Sequence, residues 1–289
     1  MKKNVARLGV PPWSGDSIAR ELCAFADLYE KRPLRDNAGG MRAPHMFAVW
    51  FMARKLSPDL IVESGIWKGQ STWLLRNACP DARIVSIDLN LALREHIEPT
   101  VAYSDKDFSE HDWSEVTQKS LVFFDDHQNA LKRLQQCKWF GFKHIIFEDN
   151  YPTTQGDCYS LKKAFAHAGF EPAFSKGKIK ETATWGRLKE RLAERMGITP
   201  ITLTPQYDSV KVHPNEHDAK MVEKNVEVYC EFPPVIKTVK TRWGDDWDEA
   251  VYPTPDPVTT VEDISKDPRL EAFVKEATAY TWICYVRLK

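Results

Sequence analysis

Short apolar runs alternate with segments of helical spacing through the middle of the chain. Five of these runs predict strands: 59-DLIVES-64, 83-RIVSID-88, 100-TVAYS-104, 120-SLVFFDDH-127 and 142-FKHIIFEDN-150. Helical spacing occurs around and between them, at residues 17–29, 45–56, 70–78, 91–97, 129–140 and 157–168. Buried strands that alternate with helices are typical of βαβ units, which form a parallel sheet covered on both faces.

The chain after residue 170 is less regular. Two late apolar runs, 226-VEVYCEF-232 and 279-AYTWICYVRL-288, predict two further strands. Residues 178–197 are charged, with a helix predicted from about Thr184. Between the two late strands, residues 233–260 are rich in Pro, Asp and Trp, and we interpret them as an excursion from the sheet.

These elements predict an α/β fold with a doubly wound, mostly parallel, seven-stranded Rossmann-like sheet and helices on both faces. Residues 1–57 are expected to form an N-terminal helical addition. Residues 58–289 are expected to form the sheet domain, with insertions at about 170–225 and 233–278, the second of which makes a long C-terminal excursion.

Composition and charge exclude several classes of function. The 289 residues carry 40 basic and 41 acidic side chains, a net charge of -1, so no electrostatic footprint for nucleic acid or an anionic membrane is expected. Neither a signal peptide nor a run long enough to span a membrane is recognised. The six cysteines are scattered without a CxxC pair, which favours free thiols and a cytoplasmic location.

Acidic side chains follow each of the five predicted strands. They are Glu63, Asp88, Asp107, the pair Asp125 and Asp126, and the pair Glu148 and Asp149, with Asn150 next in the chain. A single acid after a strand is an ordinary turn or cap residue. Five in chain order at one edge of a parallel sheet favour a ligand site, because ligands bind outside the carboxyl ends of such strands.

The loop after the first strand, 63-ESGIWKGQS-71, carries two glycines but not the GxGxxG spacing of dinucleotide sites. Its acid, Glu63, suits a cationic or zwitterionic ligand better than a pyrophosphate. Asp88 is placed to accept hydrogen bonds from ribose hydroxyls. Asp107 and Phe108 suit the recognition of an adenine by a hydrogen bond and an apolar contact.

The stretch 60-LIVESGIWKGQSTWLLRNACPDARIVSIDLN-90 resembles the first half of class I S-adenosylmethionine-dependent methyltransferases. More narrowly, ESGIWKGQS followed by VSIDLN resembles the metal-dependent small-molecule O-methyltransferases, such as catechol O-methyltransferase. The runs 122-VFFDDHQ-128 and 146-IFEDNY-151 fit the same branch, and the resemblance covers about residues 58–168. Macrocin-type sugar O-methyltransferases have a related acidic site, so the acceptor is expected to be a sugar or a phenol.

The resemblance implies a cofactor and a metal. S-adenosylmethionine would contact Glu63, Gly65, Ile66, Trp67, Lys68, Gly69, Ser71, Asp88, Leu89, Asp107, Phe108, Asp125 and His127. Mg²⁺ would be held by Asp126, Asp149 and Asn150. Because neighbouring residues on a strand point to opposite faces, Asp125 or Glu148 could replace its neighbour as a ligand.

The general base departs from the catechol-type pattern. Those enzymes place a lysine three residues after the first metal-binding acid, where this chain has Asn129. The nearest candidate base is therefore His127, and Lys132 is the second. The expected reaction is methyl transfer to a hydroxyl of a small molecule with adjacent hydroxyl groups, with Mg²⁺ lowering the pKa of one. A metal-independent methyltransferase and a catalytically silent cofactor-binding module are the alternatives.

Other parts of the acceptor pocket carry no recognised motif. The loop 35-RDNAGGM-41 has two glycines and either closes over a substrate or serves as an ordinary connector. Trp243 and Trp247 could cover a sugar or aromatic substrate, but nothing in the sequence places them near the acids. The oligomeric state stays open, and a homo-oligomer is compatible with the sequence.

Overall fold

The computed structural model describes residues 6–153, 155–168, 216–250 and 252–289, and its centre is a seven-stranded sheet. The strands in chain order are β1 (Leu60–Ser64), β2 (Arg83–Ile87), β3 (Ala102–Ser104), β4 (Leu121–Phe124), β5 (His144–Phe147), β6 (Val226–Glu231) and β7 (Cys284–Leu288). Across the sheet they run β3-β2-β1-β4-β5-β7-β6. The first five are parallel, and β7 is antiparallel to both β5 and β6. The predicted fold class is confirmed.

Successive strand residues enter two separate cores, one on each face of the sheet. Ile61 and Phe123 belong to the core on one face, whereas Val62 and Val122 belong to the core on the other. The first face is covered by α1 (Gly15–Arg20), α2 (Leu22–Tyr29), α3 (Ala43–Leu56), α4 (Gln70–Ala78), α8 (Val261–Ile264) and α9 (Glu271–Lys275). The second is covered by α5 (Ala130–Phe140), α6 (Leu161–Phe165) and α7 (Glu216–Asn225). This two-sided burial explains why the strands are continuous apolar runs.

Three predicted helices differ from those in the structure. The expected helix at 17–29 is divided between α1 and α2 at Glu21. The segment 91–97 has only one short 3₁₀ turn, Leu91–Leu93, because the backbone N–H groups of Glu95 and His96 donate to the carbonyl of Lys68 instead. These bonds tie the segment to the loop after β1.

The helix expected at 157–168 is shorter and begins later. Ser160 caps α6 by accepting from the N–H of Lys163, so Asp157, the first residue of the predicted helix, lies before α6 and is not its cap. Gly169, directly after the predicted helix, and the helix predicted from Thr184 lie outside the described residues.

The segment between β6 and β7 packs on the same face as the N-terminal helices. Trp282 is fully buried there and stacks with Trp243 and Trp247. All six cysteines are unpaired, as predicted. In the described parts of the chain, the helices are too short or too polar to cross a membrane.

The loops after β1 and β4 approach each other at Gly65. Its N–H donates to Ile87 at 2.9 Å, and its φ is 98°. A Cβ atom at this position would collide with the backbone carbonyl of Asp125. The close approach therefore requires glycine for two reasons, the positive φ and the absence of space.

We expect Gly65→Ala to destabilise the protein far more than Gly141→Ala. Gly141 ends α5 with a similar φ of 86°, but a Cβ atom there meets nothing within 4 Å. The control should cost about 1 kcal/mol for its backbone conformation alone, whereas Gly65→Ala must also displace the chain after β4. Urea denaturation of the two variants measures the difference, and equal losses of unfolding free energy would contradict the close approach.

Candidate functional site

A cavity of about 940 Å³ opens at the carboxyl ends of the parallel strands, next to the point between β1 and β4 where the strand order reverses. Its volume suits a sizeable small-molecule ligand. Many of the residues predicted from the sequence line it: Gly65, Trp67, Asp88, Leu89, Asp107, Asp125, Asp126, His127 and Asp149. The other predicted residues lie around it without lining it.

Asp88, directly after β2, fixes the conformation of the loop after β1, which lines part of the cavity. Its Oδ2 accepts from the backbone N–H groups of Ile66 and Trp67 at 2.9 and 2.8 Å, and its Oδ1 accepts from Asn90. These bonds hold Trp67 in the left-handed region at φ 47° and leave its ring half-exposed. Because a carboxylate oxygen accepts more than one hydrogen bond, Oδ1 still has capacity for a ligand hydroxyl.

Glu63 lies beneath this loop and does not line the cavity. It is fully buried, and its Oε2 accepts from the hydroxyls of Thr72 and Ser86 at 2.6 and 2.5 Å. Burial raises the pKa of Glu63, and its hydrogen bonds, including one to Ser71, oppose the rise. Glu63, which was predicted to contact the cofactor, therefore links β1, α4 and β2 through hydrogen bonds beneath the loop.

Four further residues predicted to bind the cofactor lie in the loop after β1 or in the core. Lys68 forms a 2.6 Å salt bridge with Glu95, and Ile66 and Phe108 are buried. Gly69 caps α4 at φ 94°. None of the four lines the cavity, so the structure separates the residues that shape the pocket from those that face it.

Arg133, on α5, balances two of the predicted acids. Its guanidinium lies 2.7 Å from the carboxylates of both Asp107 and Asp126. Burial acts to raise the pKa of Asp107, but its bonds to Arg133 and Ser109 outweigh this and hold the pKa below its usual range. Burial raises the pKa of Asp126, and Arg133 opposes the rise. Asp126 Oδ2 also accepts from Ser64 at 2.8 Å, so its charge is satisfied within the protein.

Asp125 and Asp149 lie next to Glu148, and we call these three the acidic cluster. Burial raises the pKa of Asp125 well above its usual range, and the charges of Glu148 and Asp149 add to the rise. Burial and the charge of Glu148 likewise raise the pKa of Asp149 well above its usual range. Neither oxygen of Asp149 has a hydrogen-bond partner of normal geometry among the described residues.

One ligand atom each from Asp125, His127 and Asp149 lies within 4.8 Å of the others, which is close enough for all three to contact one ion. The metal set predicted from the sequence was Asp126, Asp149 and Asn150. Of these, Asp149 belongs to the group of three ligand atoms, whereas the Asp126 carboxylate is bonded to Arg133 and Ser64.

Asn150 points away from the cavity. Its Nδ2 donates to the hydroxyl of Tyr229 at 3.0 Å, and its Oδ1 accepts from the backbone N–H of Lys162. The side chain is completely buried. Asn150 therefore joins the first turn of α6 to β6 and does not reach the acidic cluster.

Glu148 is held by a buried histidine from α3. His45 Nδ1 lies 2.5 Å from Glu148 Oε1, and His45 Nε2 accepts from the backbone N–H of Thr281 at 2.7 Å. Because Nε2 is an acceptor, the ring proton must lie on Nδ1 and point at Glu148. Burial lowers the pKa of His45 to about 3, with Arg242 acting in the same direction, so the ring is neutral.

His127, the first candidate base, is brought to the site, whereas Lys132 is not. His127 Nδ1 lies 2.9 Å from Asp157 and 3.5 Å from Asp149. Asp157 and then Asp149 raise the pKa of His127 to about 10, so the ring is a cation at neutral pH and donates protons in this arrangement. Lys132 is exposed on α5 and does not line the cavity.

The remaining wall comes from parts of the chain without a motif. Gly39, Gly40 and Met41 line the cavity, which favours the closing role for this loop, and Arg242 and Trp243 face it from the segment after β6. Trp247 stacks on Trp282 instead. Trp243 and Trp247 were candidates from the sequence for covering a substrate. Arg242 and His45 were not, because no local pattern marks residues whose partners lie far away in the chain.

No protein-family model matches the chain, and no curated protein matches it. Among solved structures, it resembles the S-adenosylhomocysteine-bound methyltransferase PaMTH1 of Podospora anserina at 15% identity, over 72% of this chain and 89% of that one, with a TM-score of 0.35. It resembles the O-methyltransferase TomG of Streptomyces achromogenes, solved with S-adenosylmethionine, at 18% identity over 61% and 78%, with a TM-score of 0.35.

An O-methyltransferase of Bacillus cereus in complex with S-adenosylhomocysteine is 12% identical over 62% of this chain and 80% of that one, with a TM-score of 0.32. These solved proteins carry the names of the class that the sequence resembles. At such identities and TM-scores the likeness assigns no activity to the chain, and a function has to be argued from the site.

We expect the neutral, buried His45 to make stability fall with acidification. The folded-state pKa of about 3 lies below the unfolded value near 6.5, so the unfolded chain binds the extra proton and unfolding becomes easier as pH falls below 6.5. Between pH 7 and pH 5 this amounts to about 2 kcal/mol. Urea denaturation should show that His45→Gln, although less stable at pH 7, loses about that much less than the wild type. Equal losses would contradict a neutral His45.

Proposed function

We propose that this protein is an S-adenosylmethionine-dependent methyltransferase that uses a divalent cation, Mg²⁺ by preference, to methylate a hydroxyl of a small molecule. The observation that carries the proposal is the buried Asp149 carboxylate beside Asp125, whose oxygens accept no hydrogen bond of normal geometry among the described residues and have only His127, 3.5 Å away, as a cationic neighbour. Two buried carboxylates so close together are costly unless a further cation neutralises them. It lies in the same cavity as Asp88 and the loop that Asp88 shapes.

The cofactor would bind along the edge formed by the loops after β1 and β2. Asp88 Oδ1 has remaining capacity for a ribose hydroxyl, and Leu89, 69% exposed at the cavity, offers an apolar surface for the base. Asp107 is already bonded to Arg133 and Ser109. The adenine would therefore be recognised by surface contact and backbone groups rather than by a free Asp107 carboxylate.

The donor set fits a hard or intermediate divalent cation. Asp125 and Asp149 supply carboxylate oxygens, which Mg²⁺ prefers, while the neighbouring His127 keeps its ring nitrogens for proton exchange. When bound, such an ion would draw the two hydroxyls of the acceptor together and lower the pKa of one of them. The protein would otherwise contribute position, holding that oxygen in line with the methyl group.

His127 is the group best placed to exchange a proton with the acceptor. Its Nδ1 is directed at Asp157, which leaves Nε2 as the exchanging atom. The carboxylates of Asp157 and Asp149 orient the ring and favour its cationic form. Neutralising Asp149 would remove part of that bias, so proton acceptance by His127 would be linked to occupation of the acidic cluster.

The first test separates cofactor binding from metal use. We expect calorimetry to detect S-adenosylhomocysteine binding to the wild type and to Asp149→Asn alike. Methyl transfer to a panel of vicinal diols and catechols should be lost in EDTA. Asp149→Asn should lower it by about 100-fold or more, since even supporting residues of metal sites contribute about 10- to 100-fold. Asp81→Asn, at an exposed turn, is the matched control and should match the wild type.

Absence of S-adenosylhomocysteine binding would overturn the whole proposal. Turnover that survives both EDTA and Asp149→Asn would leave a methyltransferase but remove the metal. Binding of the cofactor without turnover across the panel would support a silent binding module on the same fold.

The second test follows the protonation of His127. Because a cation beside Asp125 and Asp149 disfavours the charged imidazolium, adding Mg²⁺ should lower the pKa of His127 from about 10 toward its ordinary value. Nuclear magnetic resonance of the histidine ring protons measures this directly. His217, exposed on α7, is the internal control and should not move. A pKa of His127 that Mg²⁺ leaves unchanged would place the ion elsewhere.

A further inference from the structure

The walls of the cavity are strongly acidic. Seven carboxylates line it: Asp88, Asp107, Asp125, Asp126, Glu148, Asp149 and Asp157. Of the two arginines that line it, Arg133 is committed to Asp107 and Asp126. A ligand that carries a negative group would be repelled from most of this surface, and the position of any remaining cation decides where such a group can go.

His127 is paired with Asp157 and Asp149, and the remaining cation is Arg242, in the segment after β6. Its Nη2 donates to the carbonyl of Gly39 at 2.8 Å, and within the described parts of the chain it forms no salt bridge. A guanidinium carries five N–H donors, so the rest of its fork is available. The side chain is exposed to the cavity rather than packed in the core.

Arg242 also stands where three parts of the cavity wall meet. Gly39 and Gly40 pack against the ring of Trp67, as the short distances from their positions to that ring require. Trp243, next to Arg242, contacts Tyr151 edge-on with ring centroids 5.6 Å apart. A group bound by Arg242 would thus lie between the loop at 37–41 and an aromatic wall.

We propose that Arg242 is the carboxylate-binding residue of the cavity, which fixes the acidic end of a bound ligand beside the loop at 37–41. Planar, bidentate pairing of guanidinium with carboxylate is the chemistry that favours arginine here. The inference rests on the proposed function, and the carboxylate has two alternative sources. It belongs either to the amino-acid end of the cofactor or to an acidic acceptor.

Calorimetry on the full chain distinguishes the two sources. The first pair of probes is S-adenosylhomocysteine and 5′-methylthioadenosine, which lacks the amino-acid group. If the cofactor supplies the carboxylate, Arg242→Gln weakens S-adenosylhomocysteine binding by roughly 10- to 100-fold and leaves methylthioadenosine unchanged. Arg242→Lys, which keeps the charge but loses the fork, should recover part of the loss.

The second pair tests the acceptor. Protein loaded with S-adenosylhomocysteine and Mg²⁺ is titrated with 3,4-dihydroxybenzoate and with its neutral counterpart, 3,4-dihydroxybenzyl alcohol. If the acceptor supplies the carboxylate, Arg242→Gln weakens binding of the benzoate alone and leaves S-adenosylhomocysteine unaffected. Arg269→Gln is the matched control, since Arg269 pairs with Asp267 away from the cavity, and it should match the wild type throughout.

Three results would overturn the inference. One is a variant Arg242→Gln that binds all four probes as the wild type does. Another is an equal loss for S-adenosylhomocysteine and methylthioadenosine, or for the benzoate and the alcohol, which would reduce Arg242 to a support for the loop at Gly39. The third is a wild type that binds neither S-adenosylhomocysteine nor the benzoate; only failure of S-adenosylhomocysteine to bind counts against the proposed function as well.

Discussion

Asp125 and Asp149 repel each other across a short distance in a partly dehydrated pocket, and the surrounding side chains are arranged around that repulsion. The charge of Glu148 adds to it, while the N–H of His45 fixes one oxygen of Glu148 in place. Arg133 balances the neighbouring Asp126 and Asp107. His127 approaches Asp149 from the solvent side. The remaining negative charge of Asp125 and Asp149 is concentrated in one part of the cavity, and such a concentration favours the binding of a cation.

The strands and the acidic residues at their carboxyl ends could be predicted from the sequence, because the patterns that indicate them are local. Apolar runs bounded by glycine and acidic residues located the strands to within a few residues, and parallel strands must end at one edge. The sequence did not decide which residue of each polar pair faces the cavity. Strand β4 ends at Phe124, so the alternation of faces no longer fixes which of Asp125 and Asp126 faces the ion. Asn150, next to Asp149, bonds the backbone of Lys162 in the nearby α6 and the hydroxyl of Tyr229 in β6, which lies far away in the chain.

The residues that the sequence did not reveal share one property: their role depends on a partner more than a hundred positions away. His45 meets Glu148 and Thr281, and Arg242 meets Gly39. Periodicity and motif spacing report neighbours along the chain, not contacts made by folding. The loop at 38–41 and the segment after β6, which carry no motif, therefore supply the parts of the cavity in which related folds would be expected to differ most.

The ring of His45 also couples the acidic cluster to the architecture as a whole. One nitrogen belongs to Glu148 after β5, and the other belongs to the backbone of Thr281, just before the last strand enters the sheet between β5 and β6. Glu148 thus acquires its final geometry only when the first and last portions of the chain have both docked. The His45 ring therefore links the packing of α3 and of the chain before β7 to the position of Glu148, so local loosening of either segment would change the electrostatics of the pocket.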